Sequence, residues 1–480
     1  MSGSRPRALV VGAGLAGSLL AIELARRGMR VLVAERRSDP RRAGFIGGRS
    51  INLALSVRGV TALARAGLAE RVLADAIAMP GRMLHPPAPD AASVQTVFQP
   101  YSVNPAEAIQ SVSRAGLNLT LLEAAGAEPN VELCFGLRCV DIDLDAPAAE
   151  FEDAGGGRER LDADVIFGTD GAFSAVRGAM QVTDRFDYSQ SYLAHGYKEL
   201  VIPPAADIPG GAGARATGGF AMAPGALHIW PRGGSMMIAL PNPDRSFTCT
   251  LFWPFEGDHG FSAIDPDRDD EILAFFRRHY PDAAAIMPTL VADYRRNPVS
   301  SLVTIRCSPW NHGGRALILG DAAHAIVPFF GQGMNAAFED VRILGEMLEE
   351  HGLDFNAVLP AFSAQRKAHA DAIADMALEN FIEMRDKVGR PEFRYHKRVE
   401  QALHRMRADQ VTPLYNLVSF SNVPYAEARR RGLALDRLVD RLVEQLPPGE
   451  GEGMDESMWL ARLDALAAPM LDRAPEAHRA

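Results

Sequence analysis

Residues 319–340, Leu-Gly-Asp-Ala-Ala-His-Ala-Ile-Val-Pro-Phe-Phe-Gly-Gln-Gly-Met-Asn-Ala-Ala-Phe-Glu-Asp, constrain the fold more than any other stretch of this chain. A short apolar strand over Ala316–Leu319 runs into Gly320-Asp321, and a glycine-rich turn then opens a helix. That order sets backbone N–H groups and a helix N-terminus before a ligand, with a carboxylate to accept hydroxyls. It suits a diphosphate or a ribityl chain. A second glycine cluster, Gly12-x-Gly14-x-x-Gly17, lies far earlier, after apolar Ala8–Val11 and at the head of a helical pattern over Leu15–Arg27. Its first glycine permits the turn, the second lets backbone approach a pyrophosphate, and the third allows close helix–strand packing. Arg30–Ala34 is the next strand, and Glu35 at its end can bind a ribose hydroxyl. Two distant segments thus grip one large cofactor, which demands an α/β domain assembled from separated pieces of chain.

Glu35 favours FAD or NAD over NADP here, because it repels a 2′-phosphate; Arg36 and Arg37 soften that preference or are simply solvated. A second glycine match, Gly211-Ala-Gly213-Ala-Arg-Ala216, reads as a loop, since Pro203, Pro204 and Pro209 precede it and no helical pattern follows. Asp170-Gly171-Ala172-Phe173-Ser174-Ala175-Val176-Arg177 follows a third buried strand, Ala163–Phe167. Taken alone, it reads equally as a generic turn into a helix or as part of the cofactor site.

With 480 residues, 47% of them hydrophobic, the chain can bury a large core divided into subdomains. The net charge of −10 argues against a nucleic-acid partner. Cys134, Cys139, Cys249 and Cys307 lack metal-ligand spacing and read as buried thiols of a reducing compartment. No apolar run reaches the ~20 residues that span a bilayer. Ala8–Ile22, with Arg5 and Arg7 before it, imitates a signal peptide but contains the fingerprint glycines. The expected setting is cytoplasmic, with no membrane span, as a monomer or homodimer.

Helical patterns cover Arg58–Leu73, the end of Ala106–Ala125 from about Leu117, Asp265–Tyr280 and Leu359–Lys387, and Cys134–Leu144 alternates like one strand. Tyr197–Ile202, Ala226–Trp230, Met236–Leu240 and Thr248–Trp253 alternate as an antiparallel sheet with one covered face. The last thirty residues are polar and poorly patterned, and read as loose. The expected architecture is a Rossmann-like cofactor domain (1–75, 106–180, 296–345), an inserted antiparallel β-sheet substrate domain (76–105, 181–295), and a C-terminal helical region (346–480) closing the substrate site.

The three ordered motifs resemble those of the group A flavin-dependent monooxygenases, single-component FAD aromatic hydroxylases, over roughly residues 8–345. The resemblance implies that Gly12, Gly14, Ala16, Gly17 and Glu35, with Arg36 and Arg37, take the ADP half of FAD. Asp321 meets the ribityl chain, and Gly331, Gly333, Met334 and Asn335 lie along the isoalloxazine. Asp170 belongs to a motif serving both FAD and NAD(P)H, Arg114 reaches the flavin, and Ala54 and Leu137 join the cofactor site. His324 reads as a structural hydrogen-bonding group in its turn rather than an acid or base.

Further strings are similar to the kynurenine-hydroxylating branch of that family. They are Gly48-Arg-Ser-Ile-Asn-Leu-Ala-Leu-Ser56, Ser111-Val-Ser-Arg-Ala-Gly-Leu-Asn118, Gly196-Tyr-Lys-Glu-Leu200, Leu227-His-Ile-Trp-Pro-Arg232, Ser246-Phe-Thr-Cys-Thr-Leu-Phe252 and Ala377-Leu-Glu-Asn-Phe-Ile-Glu-Met-Arg385. That likeness implies hydroxylation of L-kynurenine to 3-hydroxy-L-kynurenine in tryptophan catabolism, with NADPH reducing FAD and O2 adding to give a C4a-hydroperoxide. The ring is activated by its own nitrogen, so no protein acid, base or nucleophile is expected. Arg82 matches the carboxylate-binding arginine, Tyr101 its partner, and Asn380 and Tyr415 the C-terminal contacts. By pattern alone, Arg82 reads as surface and Tyr415 as core. Leu227, Met236, Ile238, Leu240, Phe252 and Phe329 are expected to line the ring site, with Phe330 also meeting the ring. Ser102, Gln110 and the proline-rich loop Arg82–Ala108 depart from the family pattern, leaving a substituted kynurenine or another aromatic acid as the alternative substrate.

Overall fold

A computed structural model describes residues 5–43, 52–210, 217–388, 390–451 and 454–472. The expected loop at 211–216, the first part of the 48–56 string and the last eight residues lie outside the described residues. The chain forms two compact units, one of Met1–Ile77, Gln110–Leu193 and Ser301–Ala377, the other of Ala78–Ile109, Ala194–Ser300 and Leu378–Ala480.

The first unit is built on a six-stranded sheet in the order Asn311–His312, Ala316–Ile318, Val165–Gly168, Arg7–Val11, Arg30–Glu35, Val131–Phe135. All neighbours are parallel except the first pair. Val165–Gly168 and Ala316–Ile318 are buried throughout, which is why they read as unbroken apolar runs. The chain leaves Arg7–Val11 towards one neighbour and returns later on its other side. This makes a topological switch point at the carboxyl ends of Arg7–Val11 and Val165–Gly168, where ligands of such sheets bind.

The expected strand Cys134–Leu144 is two strands. Val131–Phe135 closes the main sheet, Gly136 turns the chain at φ +77°, and Arg138–Asp143 joins a separate antiparallel sheet with Ala148–Glu152 and Arg158–Asp162. The expected helix Arg58–Leu73 likewise breaks at Gly67 (φ +70°) into Val57–Arg65 and Ala69–Leu73. Ser113 starts the next helix at Arg114, earlier than its periodicity indicates, because its hydroxyl accepts the Gly116 N–H at 3.2 Å.

In the second unit, strands run in the order His195–Ile202 (the end of a longer strand), Phe247–Pro254, Met236–Pro241, Leu227–Pro231, Gly81–Leu84, Val97–Pro100. Neighbours are antiparallel except for Leu227–Pro231 beside Gly81–Leu84. Side chains alternate across this sheet. Trp230, Met237, Cys249, Leu251 and Trp253 pack with Ile272, Phe276 and Tyr280 of the helices after the sheet. Phe247 through Trp253 are buried at every position, so this strand is covered on both faces rather than one. Within the last thirty residues, Glu456–Asp472 form a helix rather than a loose segment, and 452–453 and 473–480 lie outside the described residues. Trp459, Leu463, Ala467 and Leu471 recur every fourth residue and are buried against Pro391–Met406 and Tyr425–Gln445.

Candidate functional site

Gly12 adopts φ +101°, and a Cβ there would lie 2.8 Å from the Thr169 carbonyl oxygen. At Gly17 a Cβ would stand 2.0 Å from the Gly12 carbonyl oxygen. These two glycines are therefore packing requirements, whereas a Cβ at Gly14 would meet nothing within 4 Å. Gly14 thus faces the open side of the turn, where a ligand can approach the helix N-terminus. That terminus, Leu15–Arg26, has no side-chain cap, so its N–H groups and partial positive charge are available to an anion. Ala16 lies behind the turn, its Cβ 3.6 Å from where a Cβ on Gly320 would be.

Glu35 accepts the Ala13 N–H and the Arg37 N–H, each at 2.9 Å, so it braces the same turn that it closes. Arg36 and Arg37 are exposed, while Leu137 is partly buried and donates its N–H to the Glu35 carbonyl. Asp170 accepts the Ser174 hydroxyl at 2.5 Å and the Ala175 N–H at 2.6 Å, capping Ala175–Met180. Burial pushes its carboxyl up from the usual range despite those hydrogen bonds. Arg177, absent from the expected site, links two motifs: it donates to the Ala172 carbonyl at 2.6 Å and to the Ala322 carbonyl at 2.8 Å. Its place in the Asp170–Arg177 string was the available sequence signal.

Gly320 holds φ +59°, and Asp321 after it is exposed at the start of the turn Asp321–His324. Behind them stands a buried charge cluster. Asp340 accepts the Gly320 N–H at 3.0 Å, His324 at 2.5 Å and Arg366 at 2.8 Å. Burial would raise its carboxyl, but His324 and Arg366 outweigh that and hold it at about 2. Glu339 bridges Arg58 at 2.5 Å and Arg366 at 2.9 Å. His324 is thus structural, as expected, but its partner is on the next helix, Gly333–His351, rather than in the turn. That helix also begins without a side-chain cap.

Asn335 is fully buried, and its amide is spent on backbone: it donates to the carbonyls of Ala54 and Gly331 at 2.8 Å and accepts the Ser56 N–H at 2.9 Å. It can serve a ligand only through the backbone it fixes. Gly331 (φ +66°), Gly333 and Met334 surround it, partly exposed, and Arg114 is exposed at its helix start. Phe329 and Phe330 are buried in this unit.

In the second unit, strand parity and register place Arg82, Leu84, Leu227, Ile229, Met236, Ile238, Leu240 and Phe252 on one face. Leu227 lies opposite Arg82, Ile229 opposite Ile238, and Met236 opposite Phe252. Met236, Leu240 and Phe252 are buried, while Arg82, Leu227 and Ile238 are half-buried. Tyr101 stacks on Tyr415 with ring centroids 4.6 Å apart and planes at 16°. Burial raises both phenols, and the Arg82 charge nearby opposes the rise. Among the described residues, no carboxylate forms an ion pair with Arg82. The structure therefore brings Arg82, Tyr101 and Tyr415 together beside an apolar face. Asn380 lies on the helix Phe355–Ile382 and donates to Met384 Sδ at 3.4 Å.

Comparison with known proteins bears on the family of the chain. Residues 5–377 match the family described as FAD binding domain. The chain is 46% identical to a kynurenine 3-monooxygenase of Myxococcus xanthus (strain DK1622) over 454 residues, 94% of each chain. It is also 46% identical to the Dictyostelium discoideum kynurenine 3-monooxygenase, covering 91% of this chain and 92% of that one. Among solved structures, 2-methyl-3-hydroxypyridine-5-carboxylic acid oxygenase matches with TM-score 0.62 at 20% identity, covering 81% of this chain and 95% of that one. Klebsiella pneumoniae HpxO complexed with FAD and uric acid matches with TM-score 0.59 at 22% identity, covering 80% and 90%.

Proposed function

The chain belongs to the kynurenine 3-monooxygenase family of FAD-dependent monooxygenases, and on that premise we propose that it hydroxylates L-kynurenine at ring carbon 3, consuming NADPH and O2. The observation that carries the substrate assignment is the Arg82 guanidinium, half-buried beside Tyr101 and Tyr415 and, among the described residues, without a carboxylate in ion-pair contact. A partly buried cation without a counter-charge is under-satisfied, and an α-carboxylate supplies it with two parallel hydrogen bonds. The tyrosine hydroxyls supply further donors, and Asn380 is assigned to the same amino-acid head. The apolar face of Leu227, Met236, Ile238, Leu240 and Phe252 is assigned to the aromatic ring, excluding water from it.

The first unit fits FAD. Gly14 leaves room for the diphosphate at an uncapped helix, Glu35 stands at the ribose position of the fingerprint, and exposed Asp321 is free to accept ribityl hydroxyls. The uncapped N-terminus of Gly333–His351 offers partial positive charge to the flavin ring. Bound FAD supplies the redox chemistry that activates O2; the chain's own groups bind, orient and exclude water. We assign the cofactor to the first unit and substrate selection to the second.

Purified protein carrying FAD should oxidise NADPH faster when L-kynurenine is added, and mass spectrometry should find the product one oxygen heavier. If kynurenine leaves NADPH use unchanged and gains no oxygen, the substrate assignment fails while the flavin assignment stands. Glu35→Gln should weaken FAD about tenfold in a fluorescence titration, since charge-assisted hydrogen bonds in the turn become neutral ones; unchanged affinity would place Glu35 outside the site.

A further inference from the structure

On the reverse face of the Arg82 strand, the protons of a buried ladder can be assigned one by one. His228 is 2% exposed, and its Nε2 lies 2.8 Å from the Ala223 carbonyl oxygen. A carbonyl only accepts, so Nε2 carries hydrogen. Burial holds His228 down to about 4, so the ring is neutral and its Nδ1 is a lone-pair acceptor. That Nδ1 is 2.8 Å from His85 Nε2, which must therefore donate. The other ring nitrogen of His85, Nδ1, sits 2.6 Å from Asp282 Oδ2. Trp230 Nε1 donates to both Asp282 oxygens at 3.0 Å, which favours an ionised carboxylate. A neutral His85 with its proton on Nε2 would turn a lone pair on that carboxylate.

We infer that His85 is held as an imidazolium between Asp282 and His228, and that it is a positioning residue for the strand that presents Arg82. Among the described residues, Arg232 and the Trp230 ring pack around His85 as well. Arg232 donates to the His85 carbonyl at 2.9 Å and lies over the Tyr280 ring at 5.1 Å. Arg232 Nε reaches the His279 carbonyl. The Trp230 ring stacks on His85 with centroids 4.0 Å apart. Gly81–Leu84 needs such an anchor because its outer neighbour, Val97–Pro100, is an edge strand with mostly exposed residues. His85 follows Leu84 directly, so the ladder seizes the strand end on the face away from Arg82.

The role assigned to His85 rests on the reading that Arg82 binds the substrate carboxylate; its protonation state does not. In the holoenzyme labelled with 15N-histidine at neutral pH, the signal lost in His85→Gln should show both ring nitrogens protonated, and that lost in His228→Asn only one. His85→Gln should raise the KM for L-kynurenine about tenfold, with kcat within about twofold and the flavin absorbance unchanged. Asp282→Asn keeps His85 but removes the anion; it should abolish the doubly protonated signal and raise KM similarly. A neutral His85 in the wild type overturns the inference, as does unchanged KM in either variant when Arg82→Ala raises it. Unchanged KM in Arg82→Ala overturns the substrate-head reading instead, leaving the imidazolium to be judged by its spectrum.

Discussion

Arg82→Ala should raise the KM for L-kynurenine about 10²–10³-fold while the protein keeps its FAD. Truncating one partner of a partly buried, hydrogen-bonded charge pair costs about 2–5 kcal/mol, which spans that range. The variant also strands the Tyr101–Tyr415 pair, whose hydroxyls then face a carboxylate without its cation. Arg82→Lys should recover only part of the loss, because an ammonium cannot reproduce the planar two-donor fork. Tyr101→Phe, which removes one neutral donor, should cost about tenfold or less. Flavin content read from the visible spectrum decides what the residue is. If Arg82→Ala purifies colourless, Arg82 supports the fold; if it stays yellow with unchanged KM, the carboxylate binds elsewhere.

The cofactor half of the site was legible because glycine requirements leave marks at the level of residue identity. Only glycine tolerates the 2.0 Å approach at position 17 or sits readily at the φ of position 12. The apolar face proposed for the substrate ring was legible through period-two alternation in Met236, Ile238 and Leu240, which the register sets on one side of the sheet. Arg82 and Tyr101 were reached by likeness, not by pattern, since a lone arginine in a proline-rich stretch reads as surface. Periodicity could not separate Val131–Phe135 from Arg138–Asp143, because two strands in different sheets alternate alike and only Gly136 divides them. The ladders were hidden for another reason. His85 and Asp282 are 197 positions apart, and His324, Asp340 and Arg366 come from three separate helical segments. Buried charges of this kind are specified by partners that no local window contains.

Asp340→Ala should cost about 3–5 kcal/mol of stability and yield protein with markedly weakened FAD binding. The loss leaves His324, 4% exposed, without its anion and reduces Arg366, 1% exposed, to its ion pair with Glu339. It also removes the acceptor for the Gly320 N–H, freeing the positive-φ turn that carries Asp321. Asp340→Asn can still accept that N–H, so it should retain more flavin than the alanine variant while remaining destabilised. The pH dependence gives the sign. The Asp340 carboxyl is held at about 2 in the folded protein against an ordinary 3.8, so its ionised form stabilises the fold fully above 3.8. That contribution, ~2 kcal/mol, is lost as pH falls through about 2. The urea midpoint of Asp340→Asn should therefore fall less steeply than the wild type's between about pH 4 and 2. A variant with wild-type midpoint and wild-type flavin affinity would show that the turn is held by backbone alone, and that the charge cluster behind it is incidental to the cofactor.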